Sequence, residues 1–216
     1  MSLDILRALQ LADSGFPSGS FAYSWGLETA AAHGHVTRAT FDAWLAAEML
    51  DRWAEFDRVL IADAHRSDDA LIVDAGADRL FLAETLRVRS AEAGQAFLSA
   101  TARLGDPEAA RLRTATLRGD AAGHLPVVQG AVFRSMGLDL ALTLIASAHA
   151  AAQGLASAAV RLGLIGALDA QRALRELHAE LAPATVPPPP EMVPASFAPI
   201  AEIAMMRPAE GRLFAN

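Results

Sequence analysis

The sequence predicts an all-α protein: a single-domain helical bundle followed by a proline-rich spacer and a C-terminal tail. Apolar residues recur at helical spacing along most of the chain, whereas sustained two-residue alternation is missing and aromatic residues make up only 6%. Hydrophobic residues account for 53% of 216 residues, which is enough to bury a sizeable core. The stretch "PATVPPPPEMVP" at 183–194 cannot be helical and favours an extended polyproline conformation. We therefore expect a helical domain over 1–182 and a spacer and tail over 183–216.

In the first half of the chain, short breaks separate the predicted helices. "HGH" at 33–35 supplies a glycine that can end a helix, and "RSDDA" at 66–70 interrupts the next periodic run. The predicted helices cover about 3–12, 20–32, 38–66, 69–83 and 84–104.

In the second half, capping residues mark the helix boundaries. "LGDP" at 104–107 places Asp106 at an N-cap and Pro107 at the first helical position. That helix ends near Gly119, and "GHLP" at 123–126 opens the next one. The following predicted helices cover 139–162, whose centre consists of small residues, and 169–181, with Asp169 as its N-cap. Small residues let helix backbones approach closely, so 139–162 is either the central helix of the bundle or part of a tight interface.

Composition excludes several classes of protein. The chain has no cysteine, hence no disulfide framework, which suits the cytoplasm. A net charge of −7 is unfavourable for binding nucleic acid. The most apolar stretch, 136–160, is interrupted by Asp139, His149 and Gln153, so we expect no membrane span. The N-terminus lacks the basic segment of a signal peptide.

The loop "DSGFPSGSFAYSWGLE" at 13–28 places four aromatic side chains among glycines, serines and Pro17. No strand precedes it and no GK[ST] ends it, so it is not a phosphate loop; the pattern of a nucleophile elbow is also missing. Ser18 or Ser20 is better suited to capping the following helix than to catalysis. Two interpretations remain open: a docking surface or a buried structural corner.

The titratable residues do not form an obvious reactive site. His33 and His35 form an H-x-H pair without a third ligand nearby in sequence, and His149 lies among alanines like a hydrogen-bonded core residue. Arg161 lies in an apolar stretch, where it must find partners, reach an interface or extend its head group to solvent. The residues alone therefore favour a binding or scaffold role over catalysis, with no catalytic residue, metal ligand or cofactor predicted.

Two alternative functions remain open. The first is a small helical hydrolase that pairs His65 or His124 with a carboxylate. The second is an independent nickel carrier, although such proteins usually have histidine- or cysteine-rich tracts and this chain has none.

Several long motifs together resemble the urease accessory protein F (UreF) family. "LQLADSGFPSGSFAYSWGLETAAAHGHV" at 9–36 is similar to the family's opening signature, and "ETLRVRSAEAGQAFL" at 84–98 to its middle helix. "GHLPVVQGAVFRSMGL" at 123–138 and "SAAVRLGLIGALDAQRAL" at 157–174 resemble its second half, and "RLFAN" its ending. The resemblance therefore spans nearly the whole chain.

The resemblance implies a non-enzymatic, all-α, homodimeric chaperone for nickel insertion into apo-urease. Such a protein would bind the urease accessory protein D, called H in some organisms, and the GTPase accessory protein G, whose GTP hydrolysis drives nickel insertion. On this interpretation the aromatic loop and the tail are docking segments that bury aromatic and arginine side chains. The candidate partner-binding residues are Pro17, Gly19, Phe21, Tyr23, Ser24, Trp25, Glu28, Arg161, Arg212, Leu213 and Phe214.

Overall fold

The computed structural model of the chain describes residues 2–17 and 23–195. Within these residues all regular structure is helical, which confirms the predicted fold class. The α-helices are α1 (Ser2–Ala12), α2 (Leu27–Ala32), α3 (Phe41–Ala47), α4 (Arg58–Arg66), α5 (Ala70–Ala77), α6 (Glu84–Arg103), α7 (Pro107–Arg118), α8 (Leu125–Ser135), α9 (Leu140–Arg161) and α10 (Ala167–Leu181). A π-helix, Glu48–Asp57, joins α3 to α4, and a 3₁₀ turn, Ala182–Thr185, follows α10.

Side-chain caps fix two of the predicted boundaries. The Asp106 carboxylate accepts a hydrogen bond from the Ala109 N–H at 2.7 Å, and the Asp139 carboxylate accepts one from the Leu142 N–H at 2.8 Å. The expected cap at Asp169 is wrong, because Gly166 occupies the N-cap and α10 begins at Ala167. Asp169 lies in the first turn, where its negative charge favours the helix N-terminus.

The helix predicted over 20–32 begins later, at Leu27. Trp25 and Gly26 adopt left-handed backbone conformations, with φ of 51° and 92°, so the chain turns sharply just before α2. The buried Ser24 hydroxyl accepts a hydrogen bond from the Glu28 N–H at 3.3 Å and fixes this turn. The capping serines expected at positions 18 and 20 lie outside the described residues.

The helix predicted over 38–66 is continuous from Phe41 onward, but its middle third is the π-helix. π-helical turns are rare, and where they occur they are frequently found at functional sites. Their wider winding places residues five apart on one side of the helix. Arg52 and Asp57 meet in this way, with 2.6 Å between guanidinium and carboxylate.

Two hydrophobic clusters form the core, and the π-helix contributes to both. Trp53 packs with Leu144 and Leu155 in the first cluster, whereas Phe56 packs with Phe97 in the second. A change in this helix therefore affects both halves of the core.

Helix α9 is the central helix, as the small residues at 146–160 allowed. It packs against α1, α2, α4, α8, α10 and the π-helix, and its alanines permit these close approaches. Among the described helices, Leu140–Arg161 alone is long and apolar enough to cross a membrane by length and composition. One helix of this kind is weak evidence for a membrane span, and 44% of its most apolar window is buried inside the fold.

One buried carboxylate organises the loop between α7 and α8. Asp74 accepts hydrogen bonds from three successive backbone N–H groups, at residues 122–124, at distances of 2.8, 2.9 and 2.8 Å. Gly94 of α6 lies against this loop so closely that a Cβ there would be 1.9 Å from the Gly123 carbonyl oxygen. The loop and α6 therefore form one tightly packed unit behind the candidate site.

The proline-rich segment runs back along α4 and the π-helix. Arg66 donates to the Pro188 carbonyl at 2.6 Å, and Arg58 donates to the Ala184 carbonyl at 3.1 Å. The backbone N–H of Ala195 donates to the carbonyl of Glu55 at 2.9 Å. The spacer is thus attached to the bundle as far as residue 195.

Candidate protein-docking site

A cleft of about 90 Å³ lies between the aromatic loop, the π-helix, the turn after α5 and helix α9. Its walls are mainly apolar, with serine and glutamine side chains contributed by α6, α8 and α9. The aromatic residues that line it are Trp25, Trp53, Phe56, Phe81 and Phe97. This concave, aromatic surface with a few polar groups has the composition of a protein recognition site.

A buried ion-pair network forms one wall of the cleft. The Arg52 guanidinium donates to Glu48 at 2.9 Å and to Asp57 at 2.6 Å. Only 10% of the Arg52 side chain and 2% of the Glu48 side chain are exposed. The guanidinium carbon also lies 5.5 Å from the centre of the Trp25 ring, within the range of a cation–π interaction.

The network keeps its arginine charged. Burial alone would lower the pKa of Arg52, but the carboxylates of Asp57 and Glu48 outweigh it and raise that pKa. Burial raises the pKa of Asp57 despite the opposing charge of Arg52. Arg52 is therefore permanently charged, and its guanidinium is held by the two carboxylates beneath the aromatic loop.

Trp25 connects the aromatic loop to the core. Among the described residues it is the one non-glycine with a positive φ, and such strained conformations cluster at functional sites. Its half-buried ring packs against the apolar cluster of Ala83 and Leu86, against which Phe81 also packs. The contacts with Arg52 and with this apolar cluster hold the ring in a conformation that the backbone alone disfavours.

Tyr23 lies beside Trp25, with ring centres 5.8 Å apart. Its hydroxyl donates to the Glu92 carboxylate at 3.1 Å, and Arg89 pairs with the same carboxylate at 2.6 Å. Burial, together with Glu92, raises the pKa of Tyr23 above its ordinary value. The phenol is therefore neutral and half-exposed, and Glu92 of α6 fixes its orientation.

The other candidate residues are divided between surface, interior and undescribed segments. Pro17 is exposed, but Ser24 and Glu28 are buried and support the turn from within. Half-buried Arg161 lies at the end of α9, where its Nε contacts the Ser157 carbonyl at 3.5 Å and burial lowers its pKa. The candidates that lie outside the described residues are Gly19, Phe21, Arg212, Leu213 and Phe214.

Sequence reasoning missed the turn after α5. The helix predicted over 69–83 ends at Ala77, and the apolar run that follows it forms a loop at the cleft. Leu82 is 73% exposed and Leu80 is 38% exposed, whereas Phe81 between them turns inward and stacks 4.6 Å from the His124 ring. An apolar run with exposed ends beside an aromatic cleft adds contact area to the same surface.

The histidines named for a hydrolase do not form an accessible reactive site. His65 contacts the Leu138 carbonyl at 2.9 Å and not a carboxylate. His124 does pair with Asp78 at 3.0 Å, but the histidine is fully buried. Burial opposes ionisation of Asp78, yet hydrogen bonds from Arg87 and His124 hold its pKa below the ordinary value.

His33, His35 and His149 lie on the surface. His33 and His35 are exposed, as expected. His149 is also exposed, so its prediction as a core residue is wrong. Within the described ranges, no group of three or more histidine, aspartate or glutamate residues could hold a metal ion.

Fold and site together define an all-helical protein with a preformed aromatic cleft. The sequence profile of the UreF family matches residues 36–178. Urease accessory protein UreF of Arthrobacter sp. (strain FB24) is 34% identical over 181 residues, covering 83% of this chain and 80% of that protein. The UreF protein of Cereibacter sphaeroides (strain KD131) is also 34% identical, over 82% of this chain and 80% of that protein. The UreF protein of Rhizobium etli (strain CIAT 652) is 34% identical over 81% of this chain and 77% of that protein.

The chain therefore belongs to the UreF family of urease accessory proteins. The match includes the π-helix and the turn after α5, so the cleft is built largely from residues within the family domain.

The ion-pair network gives a test of what holds the site together. Arg52→Met keeps much of the side-chain volume but leaves two buried carboxylates facing each other, so we expect a loss of about 3–5 kcal/mol in the free energy of unfolding. Urea denaturation followed by circular dichroism measures this loss. The matched triple variant Glu48→Gln/Arg52→Met/Asp57→Asn removes the charges together and should regain a large part of it. A single variant as stable as the wild type would contradict the assignment.

Proposed function

We propose that this chain is a non-enzymatic urease accessory protein that bridges the D/H-type accessory protein and the GTPase accessory protein G. The assembly would act on apo-urease in the cytoplasm, with GTP hydrolysis by the G protein driving nickel into the urease active site. Nickel is cargo in this scheme, and the chain itself needs no cofactor. The observation that supports a docking role best is the aromatic cleft, in which Trp25 contacts Arg52, together with the adjoining Tyr23, which Glu92 orients.

Co-purification from the native host tests the proposal as a whole. The chain should bring down urease subunits together with a P-loop GTPase. Recovery of the chain without either would contradict the bridging role. Turnover of a small ester, amide or phosphate by the isolated chain would instead favour the hydrolase, and tight stoichiometric nickel binding by the monomer would favour the carrier.

Tyr23→Ala tests the docking surface. Truncation of a central aromatic contact typically costs about 2 kcal/mol of binding, which corresponds to roughly a thirtyfold weaker complex. We expect weaker capture of the D-type or G-type partner, measured by surface plasmon resonance, with helical circular dichroism and melting temperature nearly unchanged. Tyr23→Phe is the matched control, since it keeps the ring and loses only the hydrogen bond to Glu92. If Tyr23→Ala unfolds the protein, the loop is a structural corner and the docking interpretation fails.

We also propose a homodimer whose interface uses small residues of α9. Much of the stretch 146–160 is buried within the chain, but Ala151, Gly154 and Ser157 keep partial exposure along the α9 wall of the cleft. A second helix could approach closely there, and the second copy would then cover this wall. Light scattering coupled to size exclusion, at micromolar concentration and without partners, should give the mass of a dimer. Ala151→Glu should shift the mass to that of a monomer. A monomeric wild type would rule out this interface.

The tail is the second proposed docking segment. Arg212, Leu213 and Phe214 combine a bidentate donor with two apolar side chains, the composition of an interface hot spot. We expect the tail to become ordered when it inserts into the D-type accessory protein, because burial of Leu213 and Phe214 offsets the entropic cost of ordering.

Deletion of residues 208–216 should abolish pull-down of the D-type partner without lowering the melting temperature of the free chain. Arg212→Lys should weaken pull-down by a smaller factor, since lysine keeps the charge and loses the bidentate geometry. Undiminished pull-down after the deletion, or a large loss of thermal stability, would show that the tail serves the fold instead.

A further inference from the structure

Two histidines face each other across the antiparallel pair α9 and α10. His149 and His178 are 29 residues apart in sequence, yet their ring centres lie 6.4 Å apart with the planes inclined by 43°. Both side chains are exposed to solvent. Two packed helices therefore hold two imidazoles close together on the surface. Neither histidine lines the cleft, although Ala150 and Gln153 of α9 do.

The separation suits a shared metal ion. A histidine–metal bond is about 2.0–2.1 Å long, so two imidazoles that bind one cation have ring centres roughly 5–6 Å apart. Because both rings are exposed, small side-chain rotations close the remaining gap. Partial burial, and the proximity of His178, lower the pKa of His149 and favour its neutral, metal-binding form.

We propose that His149 and His178 form a binding site for a borderline divalent cation of the Cu²⁺, Zn²⁺ and Ni²⁺ class. Each imidazole supplies one nitrogen, and water completes the coordination. Within the described residues no third histidine, aspartate or glutamate joins the pair in a possible metal site, so the cation exchanges readily. The ion ties α9 to α10 and stabilises the hairpin that these helices form.

The site is independent of the proposed function in urease maturation. An open site with two imidazole ligands follows the general order of affinity among these metals, in which Cu²⁺ binds most strongly, and it does not select nickel. A failure of the metal site would therefore leave the docking proposal untouched, and the reverse also holds.

The chain contains a matched control in His33 and His35. Their rings are also close, at 6.1 Å, but they lie two residues apart in sequence beyond the C-terminus of α2, with their planes at 80°. A cation bound there connects no two helices. It would give no stabilisation that depends on α9 and α10.

The test uses the full-length chain with any affinity tag removed. Isothermal titration calorimetry of the His33→Asn/His35→Asn variant with Cu²⁺, in a buffer of defined weak affinity for copper, should give one equivalent per chain. His149→Asn and His178→Asn should each weaken binding at least tenfold, whereas His33→Asn/His35→Asn should leave this equivalent in place. Electron paramagnetic resonance of the bound Cu²⁺ should show ligation by two imidazole nitrogens.

Thermal unfolding supplies a second measurement, since a ligand that binds only the folded state raises its melting temperature. Excess Zn²⁺ should raise the melting temperature of the wild type and of the His33→Asn/His35→Asn control, but not of His149→Asn or His178→Asn. The proposal is overturned if the control variant loses the copper equivalent, if either single variant retains wild-type affinity, or if zinc stabilises all variants equally.

Discussion

The interaction of Arg52 with Glu48 and Asp57 is the constraint on which the candidate site depends. A buried arginine is tolerated only when opposite charges and hydrogen bonds surround it, and here both carboxylates come from the same π-helical segment. In a regular α-helix a partner five residues away would lie on a different face, so the ion pairs and the π-helix support each other. The guanidinium then contacts the face of Trp25, which fixes the aromatic loop above it.

The same helix joins the two halves of the molecule. Trp53 and Phe56 enter different hydrophobic clusters. The proline-rich segment contacts this helix at the Glu55 carbonyl and contacts the adjoining α4 at Arg58 and Arg66. The cleft lies where these parts meet. Its shape is therefore set by core packing on several sides. The side chains that line it are largely held in one rotamer before any partner binds.

The sequence predicts the fold well because its signals are local. Apolar periodicity predicts the helices, and the predicted cap at Asp106 is confirmed, whereas the one at Asp169 is wrong. The site was only partly predictable. In the sequence, Arg52 looks like any other arginine in a helix, because only the π-helical winding brings it to Asp57. Leu80 and Leu82 lie in an apolar run with helical spacing, so their exposure was not predictable from the pattern. Exposure of His149 depends on how α9 packs against its neighbours, which periodicity in an alanine-rich helix does not specify.

The arrangement of the cleft favours binding over chemistry for a physical reason. Several polar groups near the aromatic rings are already engaged: Arg52 with two carboxylates, the Tyr23 hydroxyl with Glu92, and Trp53 with Ser147 at 3.2 Å. Groups that are fully hydrogen-bonded are poor acids, bases or nucleophiles, but they keep apolar contact surfaces rigid. Because rigid aromatic surfaces lose little conformational entropy on association, the free-energy cost of ordering them on binding is small. The strain stored at Trp25 is therefore consistent with a surface whose shape is set before its partner arrives.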